Sequence, residues 1–281
     1  MAQMKPVRHQ ASGRERKSEL FVISNSEQYL TQIEQATCSF YQIETFQSPA
    51  EMLDRIGLKA PCALIVDSIL DGLSGVDMVH KVRKNLSAEK LPIVFTALAS
   101  QRDFVKEVEK VSGVKTLDKP YRKTELLGAI SGQVNSAVEA SWDAIEPVQK
   151  AALKNSLDSF NSLADLISEG KPVEYSDVSG NCEALLEAVR NQNFKDILKG
   201  VQGHDNYSYV HSMRVATLLS LFGAAIGIKG DEHMTLTAGG LLHDVGKMAI
   251  PHEVLNKAGK LDDSEFDVMK SHVTHTLDFL S

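Results

Sequence analysis

The sequence predicts an α/β unit built on a doubly wound, parallel five-stranded sheet, followed by an all-helical unit. Three observations predict this. Up to about residue 135 the hydrophobic period switches repeatedly between strand-like and helical, and from about residue 150 onward no strand alternation remains. Seven of the nine histidines (204, 211, 233, 243, 252, 272 and 275) lie beyond residue 200, which places any chemistry at the C-terminal end. At 281 residues the chain is long for one domain and comfortable for two. The expected boundaries are 18–135 for the α/β unit, 136–170 for a connecting helix and 171–281 for the helical unit.

Leu20-Phe21-Val22-Ile23 is a short apolar run followed by a helical stretch from Ser26 to Ala36. Tyr41 to Phe46 reads as a second strand and Pro49 to Ile56 as a helix. Ala63-Leu64-Ile65-Val66 lacks alternation, as a strand buried on both faces does. Val76 to Lys84 is helical, Ile93-Val94-Phe95 a fourth strand, and Arg102 to Lys110 helical again. Val114 to Leu117 makes the last strand before a helix that begins near Thr124. Repeated strand-helix units argue a parallel sheet whose site lies at the carboxyl ends of its strands. Asp67, Thr96 and Lys119 fall at three of those ends. A carboxylate, a hydroxyl and an ammonium converging there can accept a phosphoryl group and hold its oxygens.

Thr124 to about Ile167 is strongly helical and broken or kinked at Pro147. Leu153, Leu157, Phe160, Ala164 and Ile167 mark a face packed on the second unit. Ser179 to Arg190 starts another helix, with Leu185, Leu186 and Val189 on one side. His211 shares its helical stripe with Val215, Leu218, Leu219 and Phe222, so a buried position is expected. Gly239 and Gly240 each cost about 1 kcal/mol against alanine inside a helix, which predicts close approach of another helix or a cofactor. His272 follows Phe266, Val268 and Met269 on the next helix.

Composition excludes several classes. The 43% apolar and 24% charged shares are those of a soluble globular protein, and the net charge of −7 offers no general attraction for nucleic acid or anionic membrane. The basic arm of Lys5, Arg8, Arg14, Arg16 and Lys17 reads as a solvated tail. No run reaches the roughly 18 apolar residues of a membrane span, and Met1 to Ser18 has no signal-peptide core. Three cysteines (38, 62 and 182) without metal spacing point to a reducing cytoplasm.

His243 and Asp244 are adjacent metal donors, and Lys247 adds a positive charge suited to phosphate. Tyr207-Ser208-Tyr209-Val210-His211, Leu241 to Lys247, Ile250-Pro251, Leu255 to Leu261 and Phe266 to His272 together resemble the HD superfamily of metal-dependent phosphohydrolases, specifically its HD-GYP branch. The resemblance implies a two-metal phosphodiesterase that opens cyclic di-GMP to the linear dinucleotide or GMP. It makes His211, His243, Asp244 and His272 metal ligands, with Asp244 bridging and iron or manganese as the metal. Asp244 and Lys247 would be catalytic. Tyr207 stands where some relatives carry an acidic ligand, which argues against a third ion. His204, His233, His252 and His275 are read as structural, with His204 and His233 exposed.

The first 135 residues resemble the receiver domain of response regulators, through Asp67, Gly75, Pro92 to Ala97 and Lys119-Pro120. The resemblance makes Asp67 the phosphoacceptor, Thr96 the switch hydroxyl and Lys119 the lysine that often precedes a cis proline. It implies a sensor histidine kinase as partner and allows a homodimer. Ser24-Asn25 replaces the family's acidic pair, so Mg²⁺ is expected to bind poorly. Thr116 replaces the aromatic switch. The sequence contains no Gly-Tyr-Pro and no downstream histidine pair, so impaired catalysis is expected, in a fragment or a truncated product. The alternative is a non-catalytic regulatory module acting through protein contacts.

Overall fold

The computed structural model describes residues 17–280, apart from 87, 172, 174, 175, 256 and 258. The basic arm upstream of Lys17 lies outside the described residues. The first unit runs β1 (Glu19–Ile23), α1 (Glu27–Thr37), β2 (Gln42–Phe46), α2 (Pro49–Leu58) and β3 (Ala63–Asp67). A small antiparallel hairpin, β4 (Ile69–Leu70) and β5 (Leu73–Ser74), was not legible in the sequence. Then come α3 (Gly75–Lys84), β6 (Ile93–Leu98), α4 (Arg102–Val108), β7 (Val114–Lys119) and α5 (Lys123–Ser141).

The five long strands form one parallel sheet in the order β2-β1-β3-β6-β7. Strand alternation divides the core. Phe21, Ile23, Leu64 and Val66 face α2, α3 and α4, through Met52, Ile56, Val79 and Val108. Leu20, Val22, Ala63 and Ile65 face α1 and α5, through Leu30, Ile33, Leu126 and Ile130. Both faces of β1 and β3 are covered by helices, which is why neither run alternates in polarity. Helix starts follow capping chemistry: Ser26, Ser48 and Ser74 each accept from a backbone N–H in the first turn of the helix that follows.

The expected long connection is two helices. Trp142–Ala144 form a 3₁₀ turn after α5, and Pro147 stands at the first position of α6 (Pro147–Ser168), where its missing N–H costs nothing. The chain continues through α7 (Ser176–Arg190), α8 (Phe194–Gly200), α9 (Tyr207–Ala225) and α10 (Gly230–Leu242). A 3₁₀ turn at Val245–Ala249 leads to α11 (His252–Leu255), α12 (Asp263–Lys270) and α13 (His272–Phe279). Leu153, Leu157 and Phe160 of α6 share one core with Leu185 of α7, Ile197 of α8, Met213 of α9 and Leu241 of α10.

The buried stripe of α9 is not the one expected. Leu218 and Phe222 are 56% and 58% exposed, and the covered side is Met213, Ala216, Thr217, Ser220 and Gly223. Small residues let α10 approach closely, and this overrides the preference of the larger apolar side chains for burial. The two neighbouring glycines of α10 differ accordingly. A Cβ on Gly240 would lie 2.7 Å from the Ala216 Cα, whereas one on Gly239 would meet nothing within 4 Å. His204 and His233, expected to be exposed, are 7% and 2% exposed. His233 reaches Ser220 Oγ at 3.0 Å and the Ser220 carbonyl at 2.8 Å, so α9 supplies the polar partners that its burial requires.

Gly239→Ala is therefore expected to stabilise the chain by about 0.5–1 kcal/mol through helix propensity. Gly240→Ala is expected to destabilise it by about 1–3 kcal/mol through overpacking. Chemical denaturation of the two variants side by side measures the contrast.

Candidate metal centre

Three separate elements deliver imidazoles to one carboxylate. His211 lies on the first turns of α9, His243 caps the end of α10, and His272 opens α13. Asp244 follows directly where α10 ends and the chain turns, and it is 7% exposed. Its Oδ2 is 3.2 Å from His211 Nε2 and 3.2 Å from His243 Nε2, and its Oδ1 is 3.3 Å from His272 Nε2. The two Nε2 atoms of His211 and His243 are themselves 3.2 Å apart. Lys247, one 3₁₀ turn on, also holds Asp244 Oδ2. The three predicted imidazoles and the predicted lysine thus each contact Asp244, and His211 is half-open rather than buried.

Their orientation is built in. His243 Nδ1 lies 2.8 Å from the Gly240 carbonyl and His272 Nδ1 lies 2.6 Å from that of Met269. A carbonyl on Nδ1 keeps a proton there and turns Nε2 toward Asp244, the arrangement common behind metal-binding histidines. Thr276 was not anticipated. Its hydroxyl accepts from Gly246 N–H at 3.0 Å and faces the carbonyls of His272 at 2.9 Å and His243 at 3.4 Å. Gly246 permits this contact, since a Cβ there would lie 2.0 Å from the His272 carbonyl oxygen. A threonine amid polar helix positions carries no pattern that singles it out in a sequence.

Burial opposes ionisation of Asp244, but the hydrogen bonds and charges of His243 and Lys247 outweigh it and hold the carboxyl well below the usual carboxylate range. The hydrogen bond to Asp244 raises His243 above its ordinary value, against a smaller effect of burial. Ligand atoms of His211, His243 and Asp244 lie within 4.8 Å of one another, and His272 adds a third imidazole on the far oxygen. Nitrogen donors around a carboxylate suit a borderline divalent cation. This donor set fits the metal its resemblance implies.

Tyr207 stacks parallel on His211, with ring centres 6.0 Å apart, and is exposed. His275 instead stacks on Phe279 at 6.3 Å.

At the sheet, β3, β6 and β7 bring Asp67, Thr96 and Lys119 together as expected. Lys119 Nζ is 2.8 Å from Asp67 Oδ1, and the Lys119–Pro120 peptide is cis. Ser24 donates to Asp67 Oδ2 at 2.7 Å, so both carboxylate oxygens have protein partners. Asn25 turns to Asp71 at 3.4 Å, and Thr116 donates to Glu109 at 3.3 Å. One carboxylate capped by a hydroxyl and an ammonium does not fit the hard, carboxylate-rich shell that Mg²⁺ requires. Two aromatic residues missed in the sequence complete the pocket. Tyr29 donates to Thr96 Oγ1 at 2.9 Å, touches the Tyr121 hydroxyl, and carries Lys119 Nζ 3.7 Å above its ring. Burial pushes the Tyr121 phenol up to about 12.

Comparison with known proteins matches both units of the chain. Residues 21–131 match the family model described as response regulator receiver domain, and residues 208–281 match that described as HD domain. The chain joins a receiver domain to an HD domain. A cyclic di-GMP phosphodiesterase of Pseudomonas aeruginosa is 34% identical over 90 residues, 32% of this chain and 22% of the relative. The cyclic di-GMP phosphodiesterase response regulator RpfG of Xanthomonas campestris is 24% identical over 217 residues, 74% of this chain and 49% of the relative. A 3′3′-cGAMP-specific phosphodiesterase of Vibrio cholerae is 33% identical over 78 residues, 28% of this chain and 17% of the relative. The chain thus spans at most about half the length of these relatives, 49% for RpfG. Among the described residues no helix is long and apolar enough to cross a membrane.

A cation entering the HD site competes with a proton on His243 and with the Lys247 ammonium on Asp244. Mn²⁺ affinity, measured by calorimetry, is expected to rise with pH through the ordinary imidazole value of 6.5 and above it. Lys247→Met is expected to bind Mn²⁺ more tightly than wild type at neutral pH. Thr276→Val is expected to bind it about 10-fold more weakly, the loss typical of an orienting residue behind a ligand.

Proposed function

We propose that the HD domain is the hydrolytic core of a phosphodiesterase that opens cyclic di-GMP to the linear dinucleotide and GMP. One observation carries this reading: three imidazoles from separate helical elements face a single, nearly buried carboxylate. The names of the matched relatives support the substrate class.

His211, His243, Asp244 and His272 would hold the metal, iron or manganese as the family resemblance implies, and imidazole and carboxylate donors are compatible with either. When bound, it supplies Lewis acidity toward a phosphodiester oxygen and acidifies water near neutral pH. The chain's own residues do the remainder. The Gly240 and Met269 carbonyls hold two imidazoles with Nε2 turned inward. Asp244 presents its two oxygens to different histidines, so both would be available to a bound cation. Lys247 keeps a positive charge beside Asp244, where it can offset charge on a non-bridging phosphoryl oxygen.

For the receiver the geometry favours a second reading, a module that works through protein contacts. Asp67 is hydrogen-bonded on both oxygens, and the Thr96 hydroxyl is engaged by Tyr29 rather than free to meet a phosphoryl oxygen. A sensor kinase or a second copy of the chain would then be a binding partner, with no phosphoryl group transferred.

The Mn²⁺-loaded protein is expected to hydrolyse cyclic di-GMP in preference to 3′3′-cGAMP, with turnover lost in Asp244→Asn. A metal-loaded protein that leaves both cyclic dinucleotides intact sinks the proposal. In a separate assay, acetyl phosphate with Mg²⁺ is expected to leave wild type and Asp67→Asn equally unlabelled. A label present only in wild type would restore Asp67 as a phosphoacceptor.

A further inference from the structure

The receiver and the helix carrying His211 meet at a polar junction that neither site uses. Tyr41 is 3% exposed and its ring belongs to the receiver core, with Leu30, Ile33 and Val134. Its hydroxyl leaves that core and donates to Asp205 Oδ2 at 2.7 Å, across 164 residues of sequence. The same aspartate donates its backbone N–H to Asn135 Oδ1 of α5, also at 2.7 Å. Asp205 is thus held to the receiver by side chain and backbone together.

The neighbours of Asp205 transmit that hold. Asn206 caps α9, accepting from Tyr209 N–H at 3.0 Å, and donates its own N–H to His204 Nδ1 at 3.2 Å. His204 Nε2 faces Glu139 Oε1 of α5 at 3.4 Å, and its ring lies parallel to that of Trp142, with centres 6.4 Å apart. Residues 204–206 therefore form a seat for the first turn of α9, held by Tyr41 of the receiver core, by Asn135 and Glu139 of α5 and by Trp142 of the turn that follows it. A helix is stiff along its axis, and His211 lies about 7.5 Å beyond the cap at 1.5 Å per residue. Sites that bind metal tolerate misplacement of about 0.5 Å. A small tilt at the seat is enough to carry His211 Nε2 out of reach of Asp244.

We propose that Tyr41 and Asp205 are a positioning pair, through which the receiver sets the place of His211 and hence the affinity of the HD site for its cation. The inference rests on the metal-binding reading above. The pair suits the role chemically. Burial, then the Asp205 carboxylate, push the Tyr41 phenol well above its ordinary range, so it stays a donor at any physiological pH. Neither residue touches the metal ligands, so each acts only through α9.

The test uses the full chain and Mn²⁺ alone. Tyr41→Phe and Asp205→Ala are each expected to weaken Mn²⁺ binding about fivefold, the effect of one hydrogen bond. The double variant should be no worse than either single one, because both remove the same contact. Asp205→Asn keeps an acceptor oxygen and should remain within about twofold of wild type. Amide exchange across residues 207–211 supplies a second readout that needs no metal: protection falls in Tyr41→Phe and holds in Asp205→Asn. Wild-type Mn²⁺ affinity together with unchanged exchange in Tyr41→Phe overturns the proposal, as do effects that add fully in the double variant. Should wild type bind no Mn²⁺, the metal reading fails, and the exchange comparison alone decides whether the pair seats α9.

Discussion

The HD half of this chain is organised around the need to compensate one nearly buried carboxylate. Removing Asp244 from water carries a cost of several kcal/mol unless opposite charge and donors surround it. His211, His243, His272 and Lys247 meet that demand from four positions along the chain. Their convergence sets other features in turn. The chain must turn sharply after α10, so Gly246 has to be small enough for α13 to lie against it, and Thr276 ties the turn to both flanking histidines. The imidazoles among these groups and the carboxylate they surround are also the donor types that suit a divalent cation, whereas Lys247 can only compensate charge.

The receiver holds a second inward carboxylate and compensates it differently. Around Asp67 the partners are a serine hydroxyl and a lysine ammonium, neither of which can serve as a strong cation ligand. Tyr29 and Tyr121 close the remainder of that pocket, with Tyr29 donating to Thr96 and touching the Tyr121 hydroxyl. The contrast between the two aspartates shows that the fold of the first unit does not need an ion at its carboxyl edge. A parallel sheet with a polar cluster at its carboxyl edge is stable with internal hydrogen bonds alone. The contacts from Tyr41 and Asn135 to Asp205 then make the receiver part of the support for the helical unit.

Periodicity and donor chemistry were legible in the sequence because both are local. The unalternating runs at Leu20–Ile23 and Ala63–Val66 required a sheet covered on both faces, and the ends of the strands placed Asp67, Thr96 and Lys119 side by side. His243 and Asp244 stood out as adjacent metal donors, and the family resemblance added His211 and His272 to them. What one helix does to another was not legible. The stripe through Leu218 and Phe222 looked like a core face, yet α9 packs through Ala216, Ser220 and Gly223 because only small residues admit the close approach of α10. His204 and His233 looked exposed because their partners, Glu139 and Ser220, lie on other helices.

By itself, then, the amino-acid order determined the class of each unit, the strand ends and which side chains are donor types for a cation. Those depend on residue type and on spacing along the chain. Tertiary structure alone decided the roles of Tyr29, Tyr121, Thr276 and the Tyr41–Asp205 contact. Each of these joins groups distant in sequence through a hydrogen bond whose geometry exists only after the helices have packed.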